Sequence, residues 1–331
     1  MILLKITALF LIVSIILTGC APAGAKTDNP PKSSDTEKFK IGISLLVPHP
    51  ALDASRQGFL DELNTLGVNA EILDQNAQGE LTNALMIAEK FVKDDVDLIF
   101  TIATTTSQAA KTAIEGTDIP LVFTAVTDPV FSQLVTAMDV TNGNITGVVD
   151  AAPIKEDLEL FKELKEDTKT VGIIFNVGEP NSEVQVSQTK EIAKELGLKI
   201  ETVGISTVND IPQAVDTISK KVDGLYIITD NMVASSITLV AKLAKEKGLL
   251  TVSADGTHVD EGILMSKGIS YYAIGKQSAK IAKQILVDKV DVSDIPVQSS
   301  PEFEKKVNLK TVEALGLETE HKAFDGAEFV K

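Results

Sequence analysis

The chain alternates between short apolar runs and longer segments that carry a helical stripe of apolar residues. The first unit has an apolar run at 41–47, a stripe that includes Leu52 and Phe59, and a second apolar run at 68–73. A strand, a helix and a strand joined in this way form a parallel crossover unit. The loop at 47–53 is therefore predicted to lie at the carboxyl end of a parallel strand, where open α/β sheets bind ligands.

The same alternation occurs twice along the chain. A first series of apolar runs ends at 145–149, and a second series begins at 170–176. Because each run is nearly all apolar, we expect strands that are buried on both faces by helices. The predicted fold is α/β with two lobes, each a mostly parallel sheet flanked by helices, joined by hinge crossovers near 147–153.

The two lobes are not expected to be continuous in sequence. After the second series, a strand-like run at 263–270, a helical stripe and a short run at 296–299 could carry the chain across again. We therefore assign 38–147 plus about 270–294 to the N-terminal lobe, and 148–269 plus about 295–331 to the C-terminal lobe.

The start of the chain has the pattern of a secretion signal. Lys5 precedes an uncharged run at 6–18, which is shorter than a comfortable transmembrane helix. The run ends in Leu-Thr-Gly-Cys at 17–20, which resembles the lipobox of bacterial lipoproteins, and Cys20 is the only cysteine. We predict a signal peptide at 1–19, a lipid on Cys20 and a flexible tether at 20–37. The alternative is a stray cysteine in an ordinary signal peptide.

Charge and motif content exclude several classes of function. The net charge of −16 repels nucleic acid and anionic lipid, so we expect no nucleic-acid partner and a covalent rather than electrostatic membrane attachment. The sequence has no G-x-S-x-G, H-E-x-x-H, Walker or G-x-G-x-x-G motif and no metal-spaced cluster of Cys and His. We therefore expect no enzyme activity, no cofactor and no metal.

Polar residues recur in the loops that follow the predicted strands. Hydroxyls and helix N-termini suit a carboxylate, and the aspartates Asp230 and Asp255 suit an ammonium group, so these loops together predict a site for a zwitterion. The candidate ligand-binding residues are His49, Asp53, Thr104, Thr105, Thr106, Thr127, Asp128, Asn181, Ser182, Asp230, Asn231 and Asp255.

Each candidate also has a simpler explanation. Ser, Thr, Asp and Asn are the preferred helix N-caps, so any one of these loops could serve capping alone. Asp53 could pair with Arg56 on a helix surface, and His49 could be an ordinary loop residue. His258 and His321 have no pattern of partners and are predicted to be exposed.

Seven segments, in order along the chain, resemble one family of binding proteins. They are HPALDASRQGF at 49–59, DQNAQGE at 74–80, FTAVTDPV at 123–130, NITGV at 144–148, NSE at 181–183, TDN at 229–231 and GISYYAIGKQSAKIA at 268–282. Together with the lipobox, the tether and the two lobes, they resemble the substrate-binding lipoproteins of ABC importers. More narrowly, they resemble the family that includes tryptophan- and tyrosine-binding proteins.

The resemblance implies a type I periplasmic-binding fold, with three crossover strands and a ligand clamped between the lobes. It also implies a membrane permease as partner, a monomer, and a location on the extracytoplasmic face of the cell membrane. Residue by residue, it places along the cleft His49, Thr104, Thr127, Asp128, Asn181, Asp230 and Asp255.

The expected ligand is amino acid-like, and the resemblance favours tryptophan, phenylalanine or tyrosine. Sugar sites usually stack the sugar on aromatic rings, and this chain has no Trp and only 5% aromatic residues. The alternatives are a sensor lipoprotein, or a binder of a branched-chain amino acid, a nucleoside or a sugar.

The lipid on Cys20 can be tested by substitution. Cys20→Ser removes the only thiol that could be acylated, so we expect a precursor that stays uncleaved at this site or a body that is no longer anchored. Membrane fractionation and the mass of the protein measure this. A serine variant that fractionates like the wild type contradicts the prediction.

Overall fold

The computed structural model describes residues 38–139 and 143–331. The predicted signal peptide, Cys20 and the tether lie outside the described residues. Within the described ranges, no helix is long and apolar enough to cross a membrane.

The first sheet contains five parallel strands of the described chain, in the order β2-β1-β3-β4-β5. We call this sheet, with the helices that pack on it, the first lobe. Its strands are β1 (Phe39–Leu45), β2 (Ala70–Asn76), β3 (Leu98–Ile102), β4 (Leu121–Val126) and β5 (Ile145–Val149).

The second sheet contains seven strands among the described residues, in the order β12-β11-β10-β9-β8-β6-β7. Only the pair β10 and β11 is antiparallel. We call this sheet, with its helices, the second lobe. Its strands are β6 (Thr170–Asn176), β7 (Lys199–Ile205), β8 (Gly224–Ile227), β9 (Leu250–Asp255), β10 (Met265–Ile269), β11 (Phe303–Asn308) and β12 (Glu328–Val330).

Helices cover both faces of each sheet. One face of the first sheet packs on α1 and α10 through residues such as Phe59 and Ile274, and the other packs on α2 and α3. The second sheet is likewise buried between two apolar clusters. This confirms the predicted α/β class. The α-helices are α1 (Pro50–Thr65), α2 (Leu81–Lys93), α3 (Thr104–Ala113), α4 (Ile154–Leu164), α5 (Pro180–Glu195), α6 (Ile211–Ile218), α7 (Asn231–Ala234), α8 (Ile237–Glu246), α9 (Thr257–Asp260), α10 (Tyr271–Leu286) and α11 (Leu309–Ala314).

The described chain crosses between the two lobes at three places. The first crossing follows β5, and the second joins β10 to α10, which packs on the first sheet. At the third, Gln298 pairs with Val148 of β5 before the chain enters β11. The run at 296–299 thus extends the edge of the first sheet and leads into the second.

The C-terminal part of the fold differs most from the sequence expectation. The stretch between β8 and β9 forms two helices, α7 and α8, with Ser235 and Ser236 between them. Strand β11 was not predicted because its sequence, FEKKVN, is polar at most positions, as suits a half-exposed strand near the sheet edge. Helix α11 and strand β12 are too short to show a clear period.

Helices α1 and α10 pack closely because each has a glycine at the crossing. A Cβ on Gly275 would lie 1.9 Å from the carbonyl oxygen of Ser55, and a Cβ on Gly58 would lie 2.2 Å from that of Tyr272. Both distances are far inside van der Waals contact. The packing fixes the start of α1, next to His49, relative to the start of α10 at Tyr271.

Gly275→Ala should therefore destabilise the protein. The added methyl group must push two helix backbones apart, and overpacking of this kind typically costs about 1–3 kcal/mol. Urea unfolding measures the loss. In the control, Gly178→Ala, the new Cβ would meet only the Asn176 side chain, at 3.3 Å, and should change stability by less than about 0.5 kcal/mol. Equal stability of the two variants would contradict this account of the crossing.

Candidate ligand-binding cleft

A small cavity lies between the two lobes, where the carboxyl ends of their strands face each other. Its volume is about 10 Å³, which is room for roughly one water molecule. We call it the central cavity. Its lining residues are His49, Ala51, Leu52, Ala125, Thr127, Asp150, Asn181, Thr229, Asp230, Asn231, Ala234, Asp255, His258 and Tyr271.

Two direct hydrogen bonds join the lobes across this cavity. His49 Nε2 lies 3.2 Å from Asn231 Oδ1, and the hydroxyls of Thr127 and Thr229 are 3.2 Å apart. Because Nδ2 of Asn231 donates to Glu179, its Oδ1 is the acceptor and His49 Nε2 is the donor. The cleft is therefore closed, with side chains of the two lobes in contact.

His49 is a neutral side chain in this arrangement. Burial lowers its pKa to about 3, so its ring carries a single proton at neutral pH. With that proton on Nε2, the other nitrogen, Nδ1, is an acceptor, and it has no partner among the described residues. His49 is thus a functional candidate and not an ordinary exposed loop residue.

Asp230 lines the cavity, but its carboxylate already accepts three hydrogen bonds from its own lobe. Oδ1 accepts from Val233 N at 2.8 Å, and Oδ2 accepts from Asn176 N at 2.6 Å and Ser182 Oγ at 2.7 Å. Burial raises the pKa of Asp230 to about 7, and the charge of Glu179 adds to the rise. Asp230 therefore caps α7 and ties it to the loop after β6.

Asp255 is held in a similar way at the end of β9. Its carboxylate accepts from the backbone N and the hydroxyl of Thr257, each at 2.8 Å, and lies 3.2 Å from His258 Nε2. Burial raises the pKa of Asp255 to about 7 and lowers that of His258 to about 4. The prediction that His258 is exposed is wrong, because α9 folds its ring onto Ser253 and Asp255 inside the lobe. His321 is partly exposed.

The hydroxyl-rich start of α3 only partly reaches the cleft. The hydroxyl of Thr106 donates to the carbonyls of Ile102 and Ala103, each at 2.9 Å, so it serves the helix start. Thr104 Oγ1 is buried and has no partner within the described part of the chain. Neither Thr104 nor Thr106 lines the central cavity, whereas Thr105 lines a second opening described below.

Two predicted aspartates lie away from the central cavity. Asp128 accepts from the backbone N of Val130 and Phe131, at 3.1 and 2.9 Å, and so caps its own turn. Asp53 lies in the first turn of α1, and the ion pair of Arg56 is with Asp74. Partial burial raises the pKa of Asp53, and Arg56 opposes the rise.

Asn181 and Glu179 form a buried network at the start of α5. Glu179 accepts hydrogen bonds from the backbone and side chain of Asn231 and from the side chain of Asn181. Asn181 Nδ2 also donates to Thr229 O at 2.9 Å, which fixes the orientation of its amide. Its Oδ1 then has no partner among the described residues.

A wider opening adjoins the central cavity and shares Asn231 with it. It has a volume of about 500 Å³, and its lining is aliphatic with several amide groups and no aromatic ring. We call it the outer cleft. Its lining residues are Leu46, Val47, Gln78, Gly79, Glu80, Leu81, Thr105, Gln108, Asn176, Gly178, Glu179, Pro180, Val208, Asn231, Met232 and Ser235.

Four polar residues that line the central cavity were not among the sequence candidates: Asp150, Thr229, His258 and Tyr271. In the outer cleft the same holds for Gln78, Glu80, Gln108, Asn176, Glu179 and Ser235. Asp150 follows β5 directly, as Asp230 and Asp255 follow or end their own strands, so the same signal could have found it. Its carboxylate accepts from the hydroxyls of Thr127, at 3.0 Å, and Tyr271, at 2.7 Å. Burial raises the pKa of Asp150, and the nearby charge of Asp255 adds to the rise.

A family comparison identifies the kind of protein to which this cleft belongs. Residues 40–331 match the family described as ABC transporter substrate binding protein. This chain is a member of that family. The description of the family is that of a substrate-binding protein.

The relatives of this binding protein include proteins named for aromatic amino acids. It is 39% identical over 309 residues to a "Tyrosine-binding protein" of Clostridioides difficile (strain R20291), a match that covers 92% of this chain and 89% of that one. It is 28% identical to a Streptococcus pneumoniae ABC domain solved in complex with L-Trp, with a TM-score of 0.83 and coverage of 89% of this chain and 100% of that one.

A third relative was solved ligand-free and open. It is a substrate-binding protein with adhesive properties from Clostridium difficile, 39% identical, with coverage of 88% and 99% of the two chains and a TM-score of 0.69. The structural overlap is lower than with the L-Trp complex although the sequence identity is higher. More distant solute-binding proteins share the fold, so the two-lobed type I periplasmic-binding fold is confirmed.

The raised pKa of Asp255 predicts a dependence of stability on pH. In the folded protein the carboxyl keeps its proton up to about pH 7, whereas the unfolded chain releases it near pH 3.8. This contribution to stability is complete below the unfolded value and is lost as pH rises towards 7. Asp255→Asn cannot lose a proton, so its stability relative to the wild type should rise by about 2–4 kcal/mol between pH 4.5 and 7.5.

Denaturant unfolding of the ligand-free proteins at several pH values measures this difference. Comparing variants with the wild type removes the opposite contribution of His49, whose pKa is lowered. In the control Asp216→Asn, the exposed Asp216 has its pKa lowered to about 2 by Lys220 and Lys247, so its difference from the wild type should stay constant over this range. A constant difference for Asp255→Asn as well would contradict the prediction.

Proposed function

We propose that this protein captures an aromatic L-amino acid, tyrosine first, outside the cell and delivers it to the permease of an ABC importer. The observation that carries the proposal is its 39% identity to a tyrosine-binding protein over 92% of the chain. The relative in complex with L-Trp supports the same class of ligand.

The shape of the cleft is compatible with this proposal. The central cavity accepts only a group the size of a water molecule, and the adjoining outer cleft has about 500 Å³ for a side chain. A ligand therefore enters while the lobes are apart, and closure around it replaces the contacts of His49 with Asn231 and of Thr127 with Thr229. The predicted lobe boundaries, 38–147 plus about 270–294 and 148–269 plus about 295–331, define the bodies that move.

The proposal also includes the anchor and the partners. A lipid on Cys20 and the tether at 20–37 would hold a monomeric binding protein on the extracytoplasmic face of the membrane, close to its permease. The sequence features at the start of the chain support this part, which the Cys20→Ser variant tests separately.

Isothermal titration of the purified protein with L-tyrosine, L-phenylalanine, L-tryptophan, L-leucine, a nucleoside and glucose tests the ligand class. We expect at least one aromatic amino acid to bind at micromolar concentration or tighter, because a closed cleft removes most of a small ligand from water. Leucine, the nucleoside and glucose should bind at least about tenfold more weakly.

Small-angle scattering with the bound amino acid provides a second readout. If lobe closure accompanies binding, a saturating ligand should make the particle more compact than the ligand-free protein in solution. Binding of only glucose, the nucleoside or leucine would contradict the proposed ligand class, and an unchanged radius of gyration at verified saturation would contradict closure.

A further inference from the structure

Three residues that line the central cavity have an unpaired polar side-chain atom, namely His49, Asn181 and His258. His258 Nε2 lies 3.2 Å from Asp255 Oδ2, and the unpaired atoms of the other two residues are acceptors. His49 and Asn181 line the cavity, and neither His49 Nδ1 nor Asn181 Oδ1 has a hydrogen-bond partner among the residues that the structure describes. Both side chains are deeply buried, with exposures of 6% and 4%. Their roles are fixed by their other contacts, since His49 donates through Nε2 and Asn181 donates through Nδ2. The cavity therefore offers two acceptor atoms to a group that brings its own N–H donors.

The three aspartates around the central cavity differ in the hydrogen bonds that their carboxylates already accept. Asp230 accepts from two backbone N–H groups and a serine hydroxyl within its own lobe, and Asp255 is held by Thr257 and His258. Asp150 instead accepts from two hydroxyls, those of Thr127 and Tyr271. A hydroxyl can rotate to a new acceptor, so Asp150 is the carboxylate most free to receive a further donor.

The charge and size of the cavity narrow the class of group that fits. No Lys or Arg is among its described lining residues, so three buried carboxylates have no cationic partner there. In the described part of the chain, no group of three or more His, Cys, Asp or Glu residues is arranged to hold a metal ion. A primary ammonium group is about as large as a water molecule, carries a positive charge and has three N–H donors.

We propose that the central cavity is an ammonium pocket in which Asp150, Asn181 Oδ1 and His49 Nδ1 accept the three N–H groups of a primary amine. This inference rests on the proposed function, because it names the residues that bind the ammonium group of the proposed amino acid. It differs from the sequence expectation, which gave the ammonium group to Asp230 and Asp255. Those two aspartates instead shape the pocket.

Paired ligands test the pocket in the wild-type protein without any substitution. L-Tyrosine is compared with 3-(4-hydroxyphenyl)propanoate, which lacks the amine, and with N-acetyl-L-tyrosine, whose amide is uncharged and too large for a cavity of about 10 Å³. L-Leucine is compared with 4-methylpentanoate in the same way. We expect each amine that binds to do so at least about thirtyfold more tightly than its counterpart without the amine.

Two substitutions with matched chemistry test Asp150. Asp150→Asn keeps the size of the side chain and removes the charge, and it should weaken binding of the amine at least about thirtyfold. Asp157→Asn is the control, because Asp157 is also a buried aspartate that accepts from a tyrosine hydroxyl, that of Tyr226 at 3.0 Å, but it does not line the cavity. Its affinity should stay within about threefold of the wild type.

The outcomes separate this inference from the proposed function. If leucine binds but tyrosine, phenylalanine and tryptophan do not, and 4-methylpentanoate is also excluded, the ammonium pocket stands and the aromatic assignment fails. If tyrosine and 3-(4-hydroxyphenyl)propanoate bind equally, or if Asp150→Asn binds like the wild type, the pocket is wrong and the aromatic assignment stands. A protein that binds none of the amines overturns both, and a poorly folded Asp150→Asn leaves the ligand pairs to decide.

Discussion

Three carboxylates, those of Asp150, Asp230 and Asp255, are buried around one small cavity whose described lining has no lysine or arginine. Burial without a cation favours the neutral carboxyl, which is why the pKa values of all three are raised. The closed cleft therefore carries an electrostatic cost that grows with the charge of these groups. Opening the lobes reduces the cost by admitting water, and in the proposed mechanism an amine reduces it while the lobes stay closed.

This constraint links ligand chemistry to lobe movement. A ligand shifts a conformational equilibrium only by its difference in affinity for the two states. An ammonium group in the central cavity has its largest interaction in the closed state, where the surroundings are dry, and a smaller one in the open state, where water screens it. In the proposed mechanism, the lobes of the ligand-free protein are joined by the hydrogen bonds between His49 and Asn231 and between Thr127 and Thr229. Contacts with the ligand replace these hydrogen bonds when it binds. The close packing of α1 on α10 holds these two helices together within the first lobe.

The sequence predicted the architecture well because its strands are buried on both faces. Apolar runs such as 121–124 and 170–176 have no alternating polar positions, and parallel sheets covered by helices produce that pattern. The half-exposed strand β11 has no uninterrupted apolar run, so the sequence did not predict it. The positions of the site were also predictable in part, since His49, Thr127, Asn181, Asp230 and Asp255 follow or end strands and all line the central cavity.

The role of each site residue could not be predicted, because it depends on which atoms are already paired. Asp230 receives a hydrogen bond from the backbone of Asn176, which is 54 positions away, and no local pattern reports that contact. His258 is buried because α9 folds it onto Ser253. Asp150 comes at the end of a strand, as Asp230 and Asp255 do, so the sequence does not distinguish the three. Only their hydrogen-bond donors in the structure do so.

An amine held in the central cavity also determines what the outer cleft must do. The central cavity is too small for any side chain, so the remainder of the ligand has to extend into the adjoining space of about 500 Å³. That space is lined by aliphatic groups such as Leu46 and Met232 and by the amides of Gln78 and Gln108, a combination that suits a flat apolar ring with a polar edge. Recognition is thereby divided between two neighbouring regions. In the proposed mechanism, the charged pocket selects the class of ligand, and the shape and polarity of the outer cleft select among members of that class.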